Sequence, residues 1–267
     1  MEKIDIDKIF KSKNATLYKW LPGFILKYIK RVVHQEDVNA FIEKNGHKTD
    51  IEFADAIIEG WHIDIKVKGI ENLPIEGGCI VASNHPLGGL DGMALVSAIG
   101  KRRSDQKFLV NDLLMHLDNL SGIFVGINKH GKNTKEMLAA IDNLYASGQC
   151  ILIFPAGLVS RKKGNSIRDL EWKKSFITKA KRYKLPVIPA HISGRNSEFF
   201  YRLANIRKRL RIKSNIEMFY LVDEMYQQTG RTITITFGKP IDSNTFNQQK
   251  NDAQWAEYVK DEVYRLA

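Results

Sequence analysis

The 267-residue sequence predicts an α/β protein: a central, mostly parallel or mixed sheet flanked by helices, with an N-terminal amphipathic helical segment. Three observations lead there. Short apolar or alternating runs of strand length take turns with helix-length amphipathic stretches along most of the chain. Residues 150–154 (Cys-Ile-Leu-Ile-Phe) are apolar throughout, as suits a strand covered on both faces. Hydrophobic residues make up 43% of the chain, enough for a sizeable core in one large domain or in a domain with a small appendage. We read residues 1–58 as an N-terminal helical, membrane-interfacial segment and 59–267 as the α/β domain.

Residues 1–13 are polar and charged and read as a frayed end. From 17 to 33, Leu17, Trp20, Leu21, Phe24, Ile25, Tyr28, Ile29 and Val32 recur at three- and four-residue spacing. Lys19, Lys27, Lys30, Arg31 and His34 fall largely elsewhere on the wheel. That pattern fits a helix lying among lipid headgroups, and equally a helix packed on the protein's own core. Residues 36–58 form a second helical region, interrupted at Asn45-Gly46 and stopped at Gly60.

Alternation over 61–68 predicts a half-buried strand closed by Gly69, and 79–83 a short buried one. A helix over 93–99 ends at Gly100; strands at 108–110 and 122–129 flank a helix over 113–117. The second of these strands delivers Lys129 and then Lys132 into a loop. A helix over 133–147 stops at Gly148 before the apolar strand at 150–154. Beyond it come a basic helix at about 171–183 and a proline-bracketed core strand over 185–192. An aromatic and basic stretch over 198–213, a strand over 232–237 and a closing helix over 252–265 complete the chain.

The net charge is +11 and the isoelectric point about 9.5, which predicts an anionic partner: nucleic acid, a membrane surface, or an acidic carrier or substrate. The two cysteines, Cys79 and Cys150, lie in apolar strands and read as buried free thiols. The first apolar stretch is broken by lysines and lacks a small-residue cleavage site, and no run reaches about 18 apolar residues. The expectation is a cytoplasmic protein, peripheral on the inner face of the cell membrane. His34, His47, His62, His116, His130 and His191 form no ligand cluster, so no metal is expected.

Two stretches carry chemistry. Asn84-His85 stands at the carboxyl end of the 79–83 strand, Gly88-Gly89 allows a tight turn, and Asp91 opens the next helix. A histidine whose tautomer is held by a carboxylate makes a general base. The plainer alternative is a helix-capping aspartate beside a turn histidine. At the end of the 150–154 strand, Pro155-Ala156-Gly157 leads to Ser160 and then Arg161-Lys162-Lys163-Gly164, read either as an anion site or as a solvated basic turn.

Taken in order, these stretches resemble the glycerolipid acyltransferase family, which acylates glycerol-3-phosphate and lysophospholipids. Its first block is Asn-His, four residues and Asp, similar to Asn84-His85 and Asp91. Its second, Gly-x-Ile-Phe-Ile then Asp-Arg, is resembled by Gly122-Ile123-Phe124-Val125 and, more loosely, by Asn128-Lys129. Its third, Phe-Pro-Glu-Gly-Thr-Arg-Ser, is resembled by Phe154-Pro155-Ala156-Gly157 through Ser160-Arg161. Its fourth, an apolar strand with prolines, is similar to Leu185 to Ala190. Two departures stand out: five residues separate His85 from Asp91, and Ala156 replaces the family's glutamate. With Asn-His-Pro-x-Gly-Gly-x-Asp-Gly and Phe-Pro-Ala-Gly, the chain looks more like the hemolysin-like branch, which includes enzymes that finish ornithine and glycine lipids.

The resemblance implies acyl transfer from acyl carrier protein or a coenzyme A thioester to the hydroxyl of a lyso-lipid, with no bound cofactor. It implies His85 as the base, Asp91 as its orienter and Asn84 as the residue that holds the loop. Pro155, Gly157 and Ser160 belong to the acceptor-side loop. Lys129 and Arg161, with Lys132, are candidates for the acceptor's anionic headgroup. Backbone amides near Gly88-Gly89 or Gly157 are candidate oxyanion donors. Residues 17–34 would contact an anionic membrane. Two other classes compete: a basic nucleic-acid-binding protein, which lacks a recognisable binding module here, and a catalytically degenerate membrane-lipid-binding protein.

Overall fold

The computed structural model describes residues 3–13, 18, 20, 22–111, 114–115, 117–127 and 135–267. Among them, a seven-stranded sheet has the order β1-β9-β8-β2-β5-β3-β4. The strands are β1 Asp64–Lys68, β2 Cys79–Ser83, β3 Gln106–Asn111, β4 Phe124–Ile127, β5 Cys150–Ile153, β8 Val187–Ile192 and β9 Thr232–Phe237. A separate antiparallel hairpin is made of β6 Arg161–Lys163 and β7 Ser166–Arg168. The five strands from β8 to β4 are parallel, and the β1–β9 pair runs the opposite way, joined through the antiparallel β8–β9 edge. The sheet is therefore mixed and mostly parallel, as the sequence predicts.

Side-chain alternation divides the core in two. Cys79 and Val81 point to one face and Ile80 and Ala82 to the other, and every residue of β2 and β5 is buried. On the first face lies α5 (Gly89–Gly100), whose residues from Leu90 to Ile99 are all buried. It is covered in turn by α4 (Asp50–Gly60). A helix buried on all sides, apolar but for Asp91 and Ser97, suits that sandwiched place. The second face holds α7 (Ser175–Tyr183) and α10 (Asp252–Arg265), through Phe176, Ile177, Ala180, Trp255, Val259 and Val263, together with Ile141 and Leu144 of α6 (Lys135–Ala146). Cys79 and Cys150 are buried free thiols on adjacent strands, in direct register.

Pro189 sits inside a central strand, where a proline usually removes a ladder bond. Here odd-numbered residues of β8 turn their amides toward β9, as the Val187 to Ile241 bond does. β9 pairs with β8 only from Phe237, opposite Ala190, and Gly238 beyond it donates to the Pro189 carbonyl at 2.8 Å. The missing N–H thus faces the place where the ladder has already ended.

The N-terminus departs from expectation. Residues 6–13 form α1 (Ile6–Lys13) instead of fraying. Asn39 Oδ1 accepts from the Ile4 amide at 2.7 Å, Gln35 Oε1 accepts from that of Ile6 at 2.9 Å, and Ile6 is buried. Those partners come from α3 (Gln35–Asn45), distant in sequence, so local composition could not reveal them. Within the expected 17–33 helix, α2 covers Gly23–Val32, while Leu17, Lys19 and Leu21 lie outside the described residues. The 61–68 strand is shortened to β1, because Trp61 and His62 complete the turn after α4, with His62 at φ 52°. The 171–183 helix begins only at Ser175, and the expected basic loop after Ser160 is the β6–β7 hairpin, turning at Gly164. No described helix is long and apolar enough to cross a membrane.

Candidate active site

The chain leaves β2 through α5 for β3, beyond β5, and leaves β5 through the hairpin and α7 for β8, beyond β2. A crevice therefore opens at the carboxyl ends of β2 and β5, the usual ligand position in an open α/β sheet. His85 and Asp91 follow β2; Pro155, Gly157 and Ser160 follow β5. The two connections touch directly: the Ser160 amide donates to the His85 carbonyl at 2.8 Å. The Phe154 ring stacks on the His85 imidazole at 4.1 Å between centroids.

His85 Nδ1 lies 2.9 Å from Asp91 Oδ2. An ionised carboxylate only accepts, so Nδ1 carries the proton and the neutral ring's lone pair is on Nε2, the nitrogen a base uses. Asp91 Oδ2 also accepts from the backbone amides of Leu87 at 2.7 Å and Gly88 at 3.0 Å. Asp91 is fully buried, and burial pushes its carboxyl pKa up. Its bonds to His85, Leu87 and Gly88, at the N-terminus of α5, act in the opposite sense. Asp91 Oδ1 has no hydrogen-bond partner among the described residues, which adds to the upward push.

Gly88 explains how five intervening residues still bring the pair together. Its backbone is at φ 85° and ψ −135°, a region open essentially to glycine, and an added Cβ would stand 3.1 Å from the Leu221 side chain. Gly89, the first residue of α5, has open space around its Cβ position. Asn84 is buried and clamps the end of β2 to the end of β8: its amide donates to the Ile192 carbonyl at 2.9 Å and accepts from the Ile192 N–H at 2.7 Å.

The acceptor-side residues are placed less uniformly. Pro155 is buried and its carbonyl accepts from Lys173 at 3.0 Å; Gly157 turns at φ 62° and its amide donates to Phe154 at 2.9 Å. The amides of Gly88 and Gly157 therefore already have acceptors. Ser160 is buried and its hydroxyl points at Asp169. Ala156 is buried in the apolar cluster on the second face of the sheet.

Arg161 does not stand free in the crevice. Its guanidinium donates to the Val159 carbonyl at 2.7 Å and to Glu217 Oε1 at 2.8 Å, and lies over the Phe200 ring. Burial lowers the Arg161 pKa, and the Glu217 carboxylate beside it raises it. Arg207 Nε lies 2.8 Å from the other Glu217 oxygen without aiming its N–H along the contact. Lys162 pairs with Glu198, so two of the three successive cations are engaged within the protein. Lys129 and Lys132 lie outside the described residues.

Sequence reasoning passed over Asp169, Asn196 and Glu217, and read Arg207 only as one cation of the aromatic and basic 198–213 stretch, a second candidate membrane-facing surface. Asn196 is buried, and its side chain donates to the Pro86 carbonyl at 3.1 Å. Asp169 touches the His85 amide, Ser160 and Trp172. Their local sequence carries no distinguishing signal: Asn196 lies in Gly-Arg-Asn-Ser-Glu and Asp169 beside Arg168, like many surface positions.

The described residues thus place an aspartate-held histidine at the carboxyl ends of two parallel strands of a mixed α/β sheet. The model of the family described as "Acyltransferase" matches residues 8–267, and the chain belongs to that family. It is 48% identical to the lyso-glycine lipid O-acyltransferase of Bacteroides thetaiotaomicron, over 98% of this chain and 97% of that one. It is 47% identical to the lyso-glycine lipid O-acyltransferase of Phocaeicola vulgatus, over 98% and 95%. Among solved structures it is similar to the 1-acyl-sn-glycerophosphate acyltransferase PlsC of Thermotoga maritima, at 18% identity and TM-score 0.48, over 91% of this chain and 92% of that one.

Two substitutions test the turn. Gly88→Ala is expected to lower stability by about 1–3 kcal/mol in thermal unfolding, from strain at positive φ. Gly89→Ala, with open space, is expected to leave the transition within about 0.5 kcal/mol of wild type.

Proposed function

We propose that this acyltransferase moves a fatty acyl group from acyl carrier protein or coenzyme A to the hydroxyl of a lyso-lipid at the membrane surface, with a lyso-glycine lipid as the leading acceptor. His85 Nε2 takes the hydroxyl proton as the oxygen attacks the thioester carbonyl. The tetrahedral intermediate collapses to the ester, and the thiolate leaves with the proton carried by the imidazolium. Asp91 stabilises that imidazolium, and no acyl-enzyme is required. The observation that carries this reading is the His85–Asp91 contact at the crevice, in a chain so similar to two lyso-glycine lipid O-acyltransferases. Arg161 contributes to the acceptor's carboxylate if Glu217 shares its guanidinium; Lys129 is the second cation proposed there, and Lys132 a third.

The membrane part of the proposal rests on an exposed aromatic surface. None of the residues of α2 is buried; Trp20 is 81% and Phe24 73% exposed. Tyr28 meets Tyr220 hydroxyl to hydroxyl at 2.9 Å, and Tyr220 packs edge-on against Phe199. Phe199 and Phe219 are themselves exposed. Two stretches far apart in sequence thus share one aromatic face, beside the exposed cations Lys27 and Arg31. Apolar rings among cations suit an anionic headgroup layer on the cytoplasmic leaflet.

With purified protein, a lyso-glycine lipid and either thioester, mass spectrometry is expected to detect the O-acylated product. His85→Ala is expected to lower turnover by about 10²–10⁴-fold, and Asp91→Asn by a comparable order. Full turnover in His85→Ala would remove His85 as the base; no product from wild type across an acceptor panel would favour a lipid-binding protein instead. In sedimentation with phosphatidylglycerol vesicles, Phe24→Ser with Phe219→Ser is expected to weaken binding about tenfold or more. Unchanged sedimentation, or salt-sensitive duplex DNA binding without vesicle binding, would overturn the membrane reading.

A further inference from the structure

A second carboxylate stands behind His85. Asp169 is only 6% exposed, in the extended stretch after β7. Its Oδ1 accepts from the Ser160 hydroxyl at 2.6 Å and from the His85 backbone amide at 3.2 Å. Its Oδ2 accepts from the Trp172 indole at 2.9 Å, and its own amide donates to the Tyr264 hydroxyl at 2.7 Å. Because the Ser160 amide donates to the His85 carbonyl, His85 and Ser160 are joined twice: directly, and through this carboxylate. Trp172, deep in the core of the second face, holds the carboxylate from the other side, and Tyr264 holds the Asp169 main chain.

We infer that Asp169 is a positioning residue for the base: it fixes the main chain of His85 against the loop after β5, while Asp91 and Phe154 fix the ring. This rests on the proposed role of His85. Three donors converge on its two oxygens, and a carboxylate has the lone pairs to accept all three. An asparagine of the same shape offers one acceptor. Whichever way its amide turns, the NH₂ confronts either the His85 amide or the Trp172 indole N–H, and a buried donor loses its partner. With the oxygen toward His85 and Ser160 the clash is at the indole. Relief then comes by moving the 169 side chain away from Trp172, which carries the His85 main chain bonded to it away from its place beside the acceptor. A displacement on the order of 1 Å lowers turnover by about 10²-fold while leaving substrate binding in place.

Replacing the indole removes the conflict. With phenylalanine at 172, the asparagine NH₂ can face the ring, and its oxygen can again accept from His85 and Ser160. The test compares full-length wild type, Asp169→Asn, Trp172→Phe and the double variant in the acylation assay, with thermal unfolding alongside. Asp169→Asn is expected to lower kcat about 10²-fold with KM for both substrates within about twofold. The double variant is expected to recover about tenfold in kcat even as its Tm falls further. A purely structural aspartate would give activity that follows the folded fraction, with no recovery in the double variant. Wild-type kcat in Asp169→Asn, or a double variant no faster than it, overturns the inference. Inactive wild type would instead sink the acylation reading. The His85 signal in ¹³C-histidine NMR then reports on Asp169 alone: expected to move in Asp169→Asn and return in the double variant, with an unmoved signal counting against it.

Discussion

Cys79 faces Cys150 and Ala82 faces Ile153 across the β2–β5 pair, so the two strands reach the same level before their chains turn away. Both are buried on each side, which leaves the register no freedom: a one-residue slip would turn every core side chain to the wrong face. That register places the turn after β2 beside the turn after β5. The Ser160 to His85 bond, the Phe154 ring on the imidazole and the Asp169 bridge all follow from it. β8 adds the third side, through the Asn84 clamp on Ile192. The candidate base thus stands on three parallel strands, although it belongs to a loop.

Buried charge is handled in two ways. Both oxygens of Asp169 and Oδ2 of Asp91 are met by donors, backbone amides among them, which favour a carboxylate without a cation. Glu217, by contrast, lies between two arginines, Arg161 and Arg207. Such a triad is costly to bury, and removing one partner costs about 3–5 kcal/mol because the remainder is stranded. Its geometric effect is definite: it ties the loop after β5 to the 216–220 segment, whose Phe219 is exposed and whose Tyr220 meets α2. The segment that bears Phe219 and Tyr220 is thereby connected, through one carboxylate, to the residue that follows Ser160.

Much of this was legible in the sequence. The apolar runs at 79–83 and 150–154 marked the two central strands, since a strand covered on both faces needs no polar alternation. The motif order marked His85, Asp91 and the loop after Phe154, and Gly88-Gly89 marked a turn able to take the extra residue. The hairpin over 161–168 was not legible. It is short, charged and at the surface, and nothing in its alternation distinguishes it from a solvated loop. Nor was α1, whose capping partners Gln35 and Asn39 lie in another helix.

By itself, then, the sequence determined the α/β architecture, the succession of its main strands along the chain and the residues that stand at their ends, because periodicity and turn chemistry are local properties. The order of the strands in the sheet came from the tertiary structure. Only the tertiary structure decided which polar groups satisfy one another. It turned Arg161 toward Glu217, gave Asp169 the His85 amide, and joined the rings of Tyr28, Phe199 and Tyr220 into one face. Those pairings depend on burial and on contacts between residues far apart in the chain. A buried donor or acceptor takes the partner that the packed core brings within reach, and no local pattern names that partner.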